Sequence, residues 1–252
     1  VVHLGACSST TERDADYLWR NNYLYSCRLA DWCVRSGIRF IYASSAATYG
    51  DGARGFSDAD DITPTLKPIN MYGYSKQVFD LWVLKRGLET TVAGLKFFNV
   101  FGPNEYHKGD MRSVVHKAFG QIKASGRVRL FKSNRPAYAD GGQLRDFVYV
   151  KDCVEVMWWL LENPGVGGIF NVGTGKARTW NDLMRATFAA MDLPERIEYI
   201  DMPPGLEEQY QYFTEARMEK LSAAGCPVAF RSLEDSVRDY VTGHLRQPDP
   251  HL

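Results

Sequence analysis

Ile38-Arg39-Phe40-Ile41-Tyr42-Ala43 is a short run of β-branched and aromatic residues, and Ser44-Ser45-Ala46-Ala47-Thr48-Tyr49-Gly50 follows it directly. The first stretch has the composition of a buried strand. The second is small and polar, which suits the carboxyl end of a strand facing a ligand. Upstream, Tyr17, Leu24, Cys27 and Val34 recur near helical spacing, so a helix is expected over about 14–36, with Gly37 at the C′ position. Downstream, a turn-rich loop over 50–70 leads to a helix over 72–86 that stops at Gly87, and 91–97 reads as a strand. Residues 1–4 read as the end of another buried strand. Further helices are expected over 111–124 and 151–162, and strands over 128–131, 146–150 and 168–172. The stretch 99–110 reads as a polar loop. Thr179-Trp180-Asn181-Asp182 and Ser232-Leu233-Glu234-Asp235 have the form of capping boxes opening two more helices.

Strands alternating with helices predict an α/β fold, a Rossmann-type doubly wound parallel sheet. Irregular stretches after Asn99 and Gly173 predict a smaller α/β lobe. The expected division is 1–102, with 146–175 returning to it, against 103–145 and 176–252. The four loops at strand ends, 5–9, 44–48, 98–102 and 173–175, are all small or polar, as a cofactor cleft requires.

The chain has 252 residues, 45% of them apolar, and 30 basic residues cancel 30 acidic ones. That balance argues against a dedicated nucleic-acid binder, which needs a basic field. The longest strongly apolar run, Val156-Met157-Trp158-Trp159-Leu160-Leu161, is far short of the roughly 20 residues that cross a bilayer. Neither a nucleic-acid nor a membrane partner is expected. The five cysteines are scattered without a C-x-x-C, which suits free thiols in a reducing compartment and gives no metal site.

Tyr72-Gly73-Tyr74-Ser75-Lys76 carries the chemistry. Positions i and i+4 share a helix face, so Tyr72 and Lys76 can address one ligand. A phenol is a poor base at neutral pH, and a nearby ammonium favours the phenolate. The same ammonium can hydrogen-bond the ribose of a nicotinamide cofactor. Tyr-x-x-x-Lys alone arises often by chance, but here Ser44-Ser45 ends a strand and Tyr72 follows Ser45 by 27 residues. Serine, tyrosine and lysine together form a proton-relay set for hydride transfer at a carbinol carbon.

The strand, Ser-Ser-Ala and Tyr-x-x-x-Lys pattern resembles the extended short-chain dehydrogenase/reductase family of nucleotide-sugar epimerases and dehydratases. Gly5-Ala6-Cys7-Ser8-Ser9-Thr10-Thr11-Glu12, Phe98-Asn99-Val100-Phe101-Gly102-Pro103, His107-Lys108-Gly109, Arg145-Asp146-Phe147-Val148-Tyr149-Val150 and Tyr210-Gln211-Tyr212-Phe213-Thr214 are similar to its heptose 6-epimerase branch. The resemblance implies NADP-dependent epimerisation at C6 of the heptose in ADP-D-glycero-D-manno-heptose, in the cytoplasm, by a homo-oligomer (a pentamer in that branch). It implies Tyr72 as base, Lys76 as its partner and ribose anchor, Ser45 as the group holding the reacting oxygen, and Lys108 as a second acid/base. Leu4, Gly5, Ala6, Cys7, Ser8, Asn21, Lys76, Val100 and Lys108 would contact NADP. Asn99, Asp110, Lys117, Phe131, Lys132, Ser133, Asn134, Arg145 and Tyr210 would contact the ADP-heptose, with Arg145 suited to a diphosphate by bidentate contact. Two proton-handling groups suit a ketone that turns before hydride returns to its other face.

Some positions depart from the family's pattern. Leu4 stands where an acidic residue is common, Asp110 and Lys117 replace a Ser and a His, and 136–143 lengthens a loop. No G-x-G-x-x-G is present; Gly173-Thr174-Gly175 lacks the spacing. About two βαβ units of the family pattern have no counterpart, and the expectation is that the chain is a fragment whose activity belongs to a longer one. Two alternatives remain at this point: another nucleotide-sugar epimerase of the UDP-hexose 4-epimerase type, and a silent nucleotide-binding scaffold. Ala46 and Ala47, where dehydratases carry an acidic pair, argue against elimination.

Overall fold

The computed structural model describes residues 1–203, 205 and 210–249. The chain forms two compact units. The first comprises 1–98, 153–173 and 216–228, and the second 99–152, 174–215 and 229–252. Thus 99–102, 146–152 and 174–175, expected with the first part, lie in the second unit, and 216–228 lies in the first.

The first unit is built on a wholly parallel sheet of β1 (Val2–His3), β2 (Phe40–Ser45), β3 (Val92–Phe97) and β7 (Gly168–Val172), in the order β1-β2-β3-β7. The helix expected over 14–36 is continuous but not uniform. It runs as α1 (Ala15–Leu18), a π-helical stretch at Trp19–Leu24 and α2 (Tyr25–Arg35), opened by the Asp14 side chain and followed by Gly37 at φ 64°. α3 (Met71–Lys85) starts at Asn70, whose side chain accepts from the Gly73 N–H at 2.7 Å. Ala30 and Cys33 of α2, Phe79 and Val83 of α3, and Phe40, Tyr42 and Val92 of the sheet form one buried cluster. Tyr42 lies across Gly94, its register partner on β3, where a Cβ would stand 2.4 Å from the ring. Glycine there lets the phenol cross the strand towards α3.

Parallel pairing brings the residues after β1, β2 and β3 to one edge of this sheet. A second close approach occurs there. The first turn of α3 packs on the 3₁₀ turn Ala46–Tyr49, and a Cβ on Gly73 would meet the Ala47 carbonyl oxygen at 2.7 Å. Gly73→Ala is therefore expected to cost about 1–3 kcal/mol by overpacking. It pushes α3 off the tip of β2, and chemical denaturation checks the size of the effect.

The second unit holds β4 (Asn99–Phe101), α4 (Val114–Ser125), β5 (Val128–Phe131), β6 (Leu144–Tyr149), the start of α5 (Val150–Glu162), β8 (Ala177–Thr179), α6 (Trp180–Ala190), β9 (Ile197–Ile200) and α8 (Leu233–Tyr240). α7 (Glu219–Ala223) belongs to the first unit. β6 lies between parallel β4 and antiparallel β8, and β5 pairs in parallel with β9. The loop expected over 99–110 instead begins as β4 and ends in a 3₁₀ stretch, Tyr106–Met111, interrupted at Gly109. α4, α6 and α8 enclose a core of Val115, Ile122, Leu183, Met184, Phe188, Val237 and Tyr240. Thr179 and Asp182 form a full capping box, and Ser232 caps α8. No helix among the described residues is long and apolar enough to cross a membrane.

Candidate active site

Ser45 is the last residue of β2 and caps the turn that follows, accepting from the Ala47 N–H at 3.1 Å. Tyr72 stands in the first turn of α3, and its phenol hydrogen-bonds with the Ser45 side chain. Lys76 is one helical turn on, 8% exposed, and its Nζ donates to the Ala43 carbonyl at 2.8 Å. The structure therefore gathers Ser45, Tyr72 and Lys76 at one strand tip. Ser44, the other member of the serine pair, turns elsewhere and donates to Asp80 at 2.7 Å.

The electrostatics of the set come from opposing causes. Burial pushes the Tyr72 phenol up, the hydrogen bond with Ser45 pulls it down, and Cys7 adds a smaller upward push. The positive end of α3 lies beside it and favours a phenolate. Burial lowers the Lys76 ammonium to about 8, against the attraction of Asp80 and Cys7. Burial and the Lys76 charge hold the His3 imidazole below its ordinary value.

The loop after β1 meets the same place, since Cys7 acts on both Tyr72 and Lys76. Leu4, Gly5 and Ser8 are exposed there, and Ala6 and Cys7 are half-buried. Buried Asn22 fixes this loop. Its Oδ1 accepts from the Cys7 N–H at 2.8 Å, and its Nδ2 donates to the Cys7 carbonyl at 3.0 Å and to Ser75 Oγ at 2.9 Å. Sequence reading chose Asn21, which is exposed and spends its amide on the Tyr17 carbonyl of its own helix. Val100 on β4 and Lys108 in the 3₁₀ stretch belong to the second unit.

Within the second unit the expected residues fall in different places. Arg145 is 7% exposed and lies against Tyr210, at 5.2 Å, and Trp180, at 5.7 Å. Trp180 Nε1 donates to the Tyr210 hydroxyl at 2.9 Å. The Arg145 guanidinium donates to the Leu144 and Gln211 carbonyls, one bond from each terminal nitrogen, which leaves further N–H donors of its five. Burial lowers its pKa. Phe131 packs edge-on to Tyr210, and the Asn134 N–H donates to the Tyr212 hydroxyl at 2.9 Å. Ser133 donates its N–H to Asp140 at 2.7 Å, and Lys132 pairs with Asp201 at 3.0 Å. Trp180 and Tyr212 are members of this aromatic wall that sequence reading missed.

Asp110 and Lys117 line an open cavity of about 880 Å³ with Tyr106, Arg112, His116 and Lys123. Lys117 donates to the Asp110 carbonyl at 2.6 Å. Asn99 and Lys108 are exposed. The segment carrying Lys108 is closed by buried Glu105, whose carboxylate accepts from the Ser113 N–H at 2.7 Å, the Ser113 hydroxyl at 2.5 Å and the Tyr240 hydroxyl at 2.8 Å.

Comparison with known proteins agrees with this geometry. A family model described as the NAD dependent epimerase/dehydratase family matches residues 1–173. An ADP-L-glycero-D-manno-heptose-6-epimerase of Nitratidesulfovibrio vulgaris is 66% identical over 252 residues, all of this chain and 78% of that protein. Another of that name from Fusobacterium nucleatum is 48% identical over 263 residues, covering all of this chain and 79% of its own length. The crystal structure of the Helicobacter pylori ADP-L-glycero-D-manno-heptose-6-epimerase superposes with a TM-score of 0.80 at 27% identity, over 96% of this chain and 71% of that one. A serine and tyrosine bonded at a parallel strand tip with a buried lysine beside them, joined to a family match over more than half its length, make this chain a member of the NAD-dependent epimerase/dehydratase family.

Proposed function

We propose that the chain catalyses epimerisation at C6 of the heptose of ADP-D-glycero-D-manno-heptose, giving the L-glycero form with NADP as cofactor. The observation that carries the reading is the Tyr72 phenol bonded to Ser45 with the Lys76 ammonium one turn away. The relatives at 66% and 48% identity carry the heptose as the substrate.

The donor set suits a nicotinamide nucleotide. An ammonium has three donors and Lys76 uses one on Ala43, leaving others for ribose hydroxyls. Leu4, Gly5 and Ser8 are exposed and leave space for a ligand, since a Cβ on Gly5 would meet only the His3 ring, at 4.0 Å. When bound, the nicotinamide supplies a hydride acceptor and donor, so alcohol and ketone interconvert without net redox change. Ser45 holds the oxygen on the reacting carbon. Tyr72 takes the hydroxyl proton as the ketone forms and gives one back on reduction. Lys76 stands one helical turn away, where a positive charge favours the phenolate over the phenol. Lys108 serves as the second acid/base when the ketone presents its other face. Arg145 contacts the diphosphate of the substrate with the N–H donors that its two carbonyl bonds leave over.

The same reading makes the enzyme a cytoplasmic homo-oligomer, a pentamer on the family's pattern, and sedimentation measures that state. The substrate is tested by assaying purified protein with ADP-heptose and with UDP-, GDP- and dTDP-hexoses, each with NADP and NAD. Turnover of the ADP-heptose alone, with NADP preferred, is expected. Turnover of a UDP-hexose in its place overturns the proposal.

A further inference from the structure

Beneath the candidate catalytic set lies a second group of polar residues that the proposed reaction does not use. Asp80 and Lys96 have fully buried side chains and meet at 2.6 Å. Asp80 is one turn beyond Lys76 on α3, and Lys96 is the register partner of Ser44 on β3. The two Asp80 oxygens divide their work. Oδ1 accepts from the Tyr42 hydroxyl at 2.9 Å, while Oδ2 accepts from the Ser44 hydroxyl at 2.7 Å and from Lys96. Lys96 Nζ also donates to Thr48 Oγ1 at 2.8 Å, and that hydroxyl donates to the Ser45 carbonyl at 2.8 Å. The group therefore reaches Ser45 from both sides, through Ser44 before it and Thr48 after it.

Burying an ion pair has a desolvation cost that well-packed apolar residues avoid, and such pairs are weak devices for stability. Here the hydrogen-bond partners of the pair, Tyr42, Ser44 and Thr48, all belong to β2 or to the turn that follows it, the segment that carries Ser45. Gly94 is bare so that Tyr42 can join it.

We infer that Asp80 and Lys96 are positioning residues of the serine–tyrosine–lysine set, fixing the Ser45 tip against α3 and placing a negative charge behind the Lys76 ammonium. The inference rests on the proposed function for its kinetic consequence only; the geometry at Lys76 is measurable without turnover. The groups acting on Lys76 are Asp80 from its own helix, Cys7 from the loop after β1, His3 on β1 and the Ala43 carbonyl on β2. Losing the Asp80 anion disfavours the charged lysine, so Lys76 gives up its proton at lower pH.

The test is the double variant Asp80→Asn/Lys96→Met, which removes both charges and leaves no lone ion in the core, with Asp80→Asn alone as a second variant. Two quantities are measured on the purified protein. One is kcat and KM for the ADP-heptose. The other is the protonation of Lys76 by competitive acetic anhydride labelling, resolved by peptide mass spectrometry. A fall in kcat of about tenfold or more is expected, with KM within about threefold, because misplacement of a reacting group acts on the transition state. In Asp80→Asn, where the anion alone is lost, the Lys76 labelling midpoint is expected to fall from its native value near 8. A purely structural pair gives a lower melting temperature with kcat per folded molecule and the labelling midpoint unchanged, and that result overturns the inference. So does movement of only one of the two. A Tyr72→Phe protein that keeps full turnover refutes the proposed function instead, and the labelling midpoint then decides the positioning role alone.

Discussion

Tyr72→Phe is expected to lower kcat by about 10²–10⁴-fold, the range that a positioned general acid/base contributes, while substrate and cofactor affinities stay within about threefold. The substitution removes one oxygen. That oxygen is the only atom of the helix turn that can both bond Ser45 and take a proton from the substrate. Phenylalanine keeps the ring in place, so the packing of the first turn of α3 on the 46–49 turn is retained. Ser45 loses a partner at a site that is not closed from water, so stability changes by about 1 kcal/mol or less. The loss falls on kcat because proton removal is a transition-state interaction, and the phenol oxygen is not among the groups assigned to ribose or diphosphate. Steady-state kinetics with paired cofactor and substrate titrations measure both quantities. Turnover within about threefold of the native protein excludes Tyr72 as the base.

Most of this set could be read without coordinates because its geometry is local. Tyr72 and Lys76 are bound together by the helix repeat, and Ser45 by its place at the end of an apolar strand. What escaped depended on phase or on contacts far apart in sequence. Asn21 and Asn22 are indistinguishable as adjacent letters, and the π-helical stretch at Trp19–Leu24 sets which of them faces the loop after β1. Trp180 meets Arg145 only after β6 and β8 pair, and Tyr212 meets Tyr210 and Arg135 through contacts distant in sequence. Arg145 reads as an anion ligand in sequence, and only the fold shows that two of its five donors hold backbone carbonyls. β8 and β9, of 3 and 4 residues, are too short for a period to show. Lys96 reads as a polar interruption of a strand, and its partner 16 residues earlier lies on a helix that sequence alone does not dock.

Lys96→Met is expected to destabilise the protein by about 3–5 kcal/mol, the range for breaking a buried pair by removing one partner. Methionine fills nearly the same space, so a cavity is not the cause. The cause is Asp80, which stays fully buried at 0% side-chain exposure and retains only the neutral donors Tyr42 and Ser44. Two neutral hydrogen bonds do not replace the attraction of a cation at 2.6 Å in a medium of low polarity. The ammonium's contact with the Tyr49 ring, 5.4 Å from its centroid, is lost as well. For a chain of this length the expected fall in melting temperature is about 6–20 °C. Adding Asp80→Asn to Lys96→Met removes the stranded charge, and the double variant should therefore recover most of the lost stability. Denaturation of the native protein, the two single variants and the double variant gives the coupling directly. A single-variant loss below about 1 kcal/mol, or additivity of the two substitutions, contradicts a charged and mutually compensated pair at the foot of the candidate site.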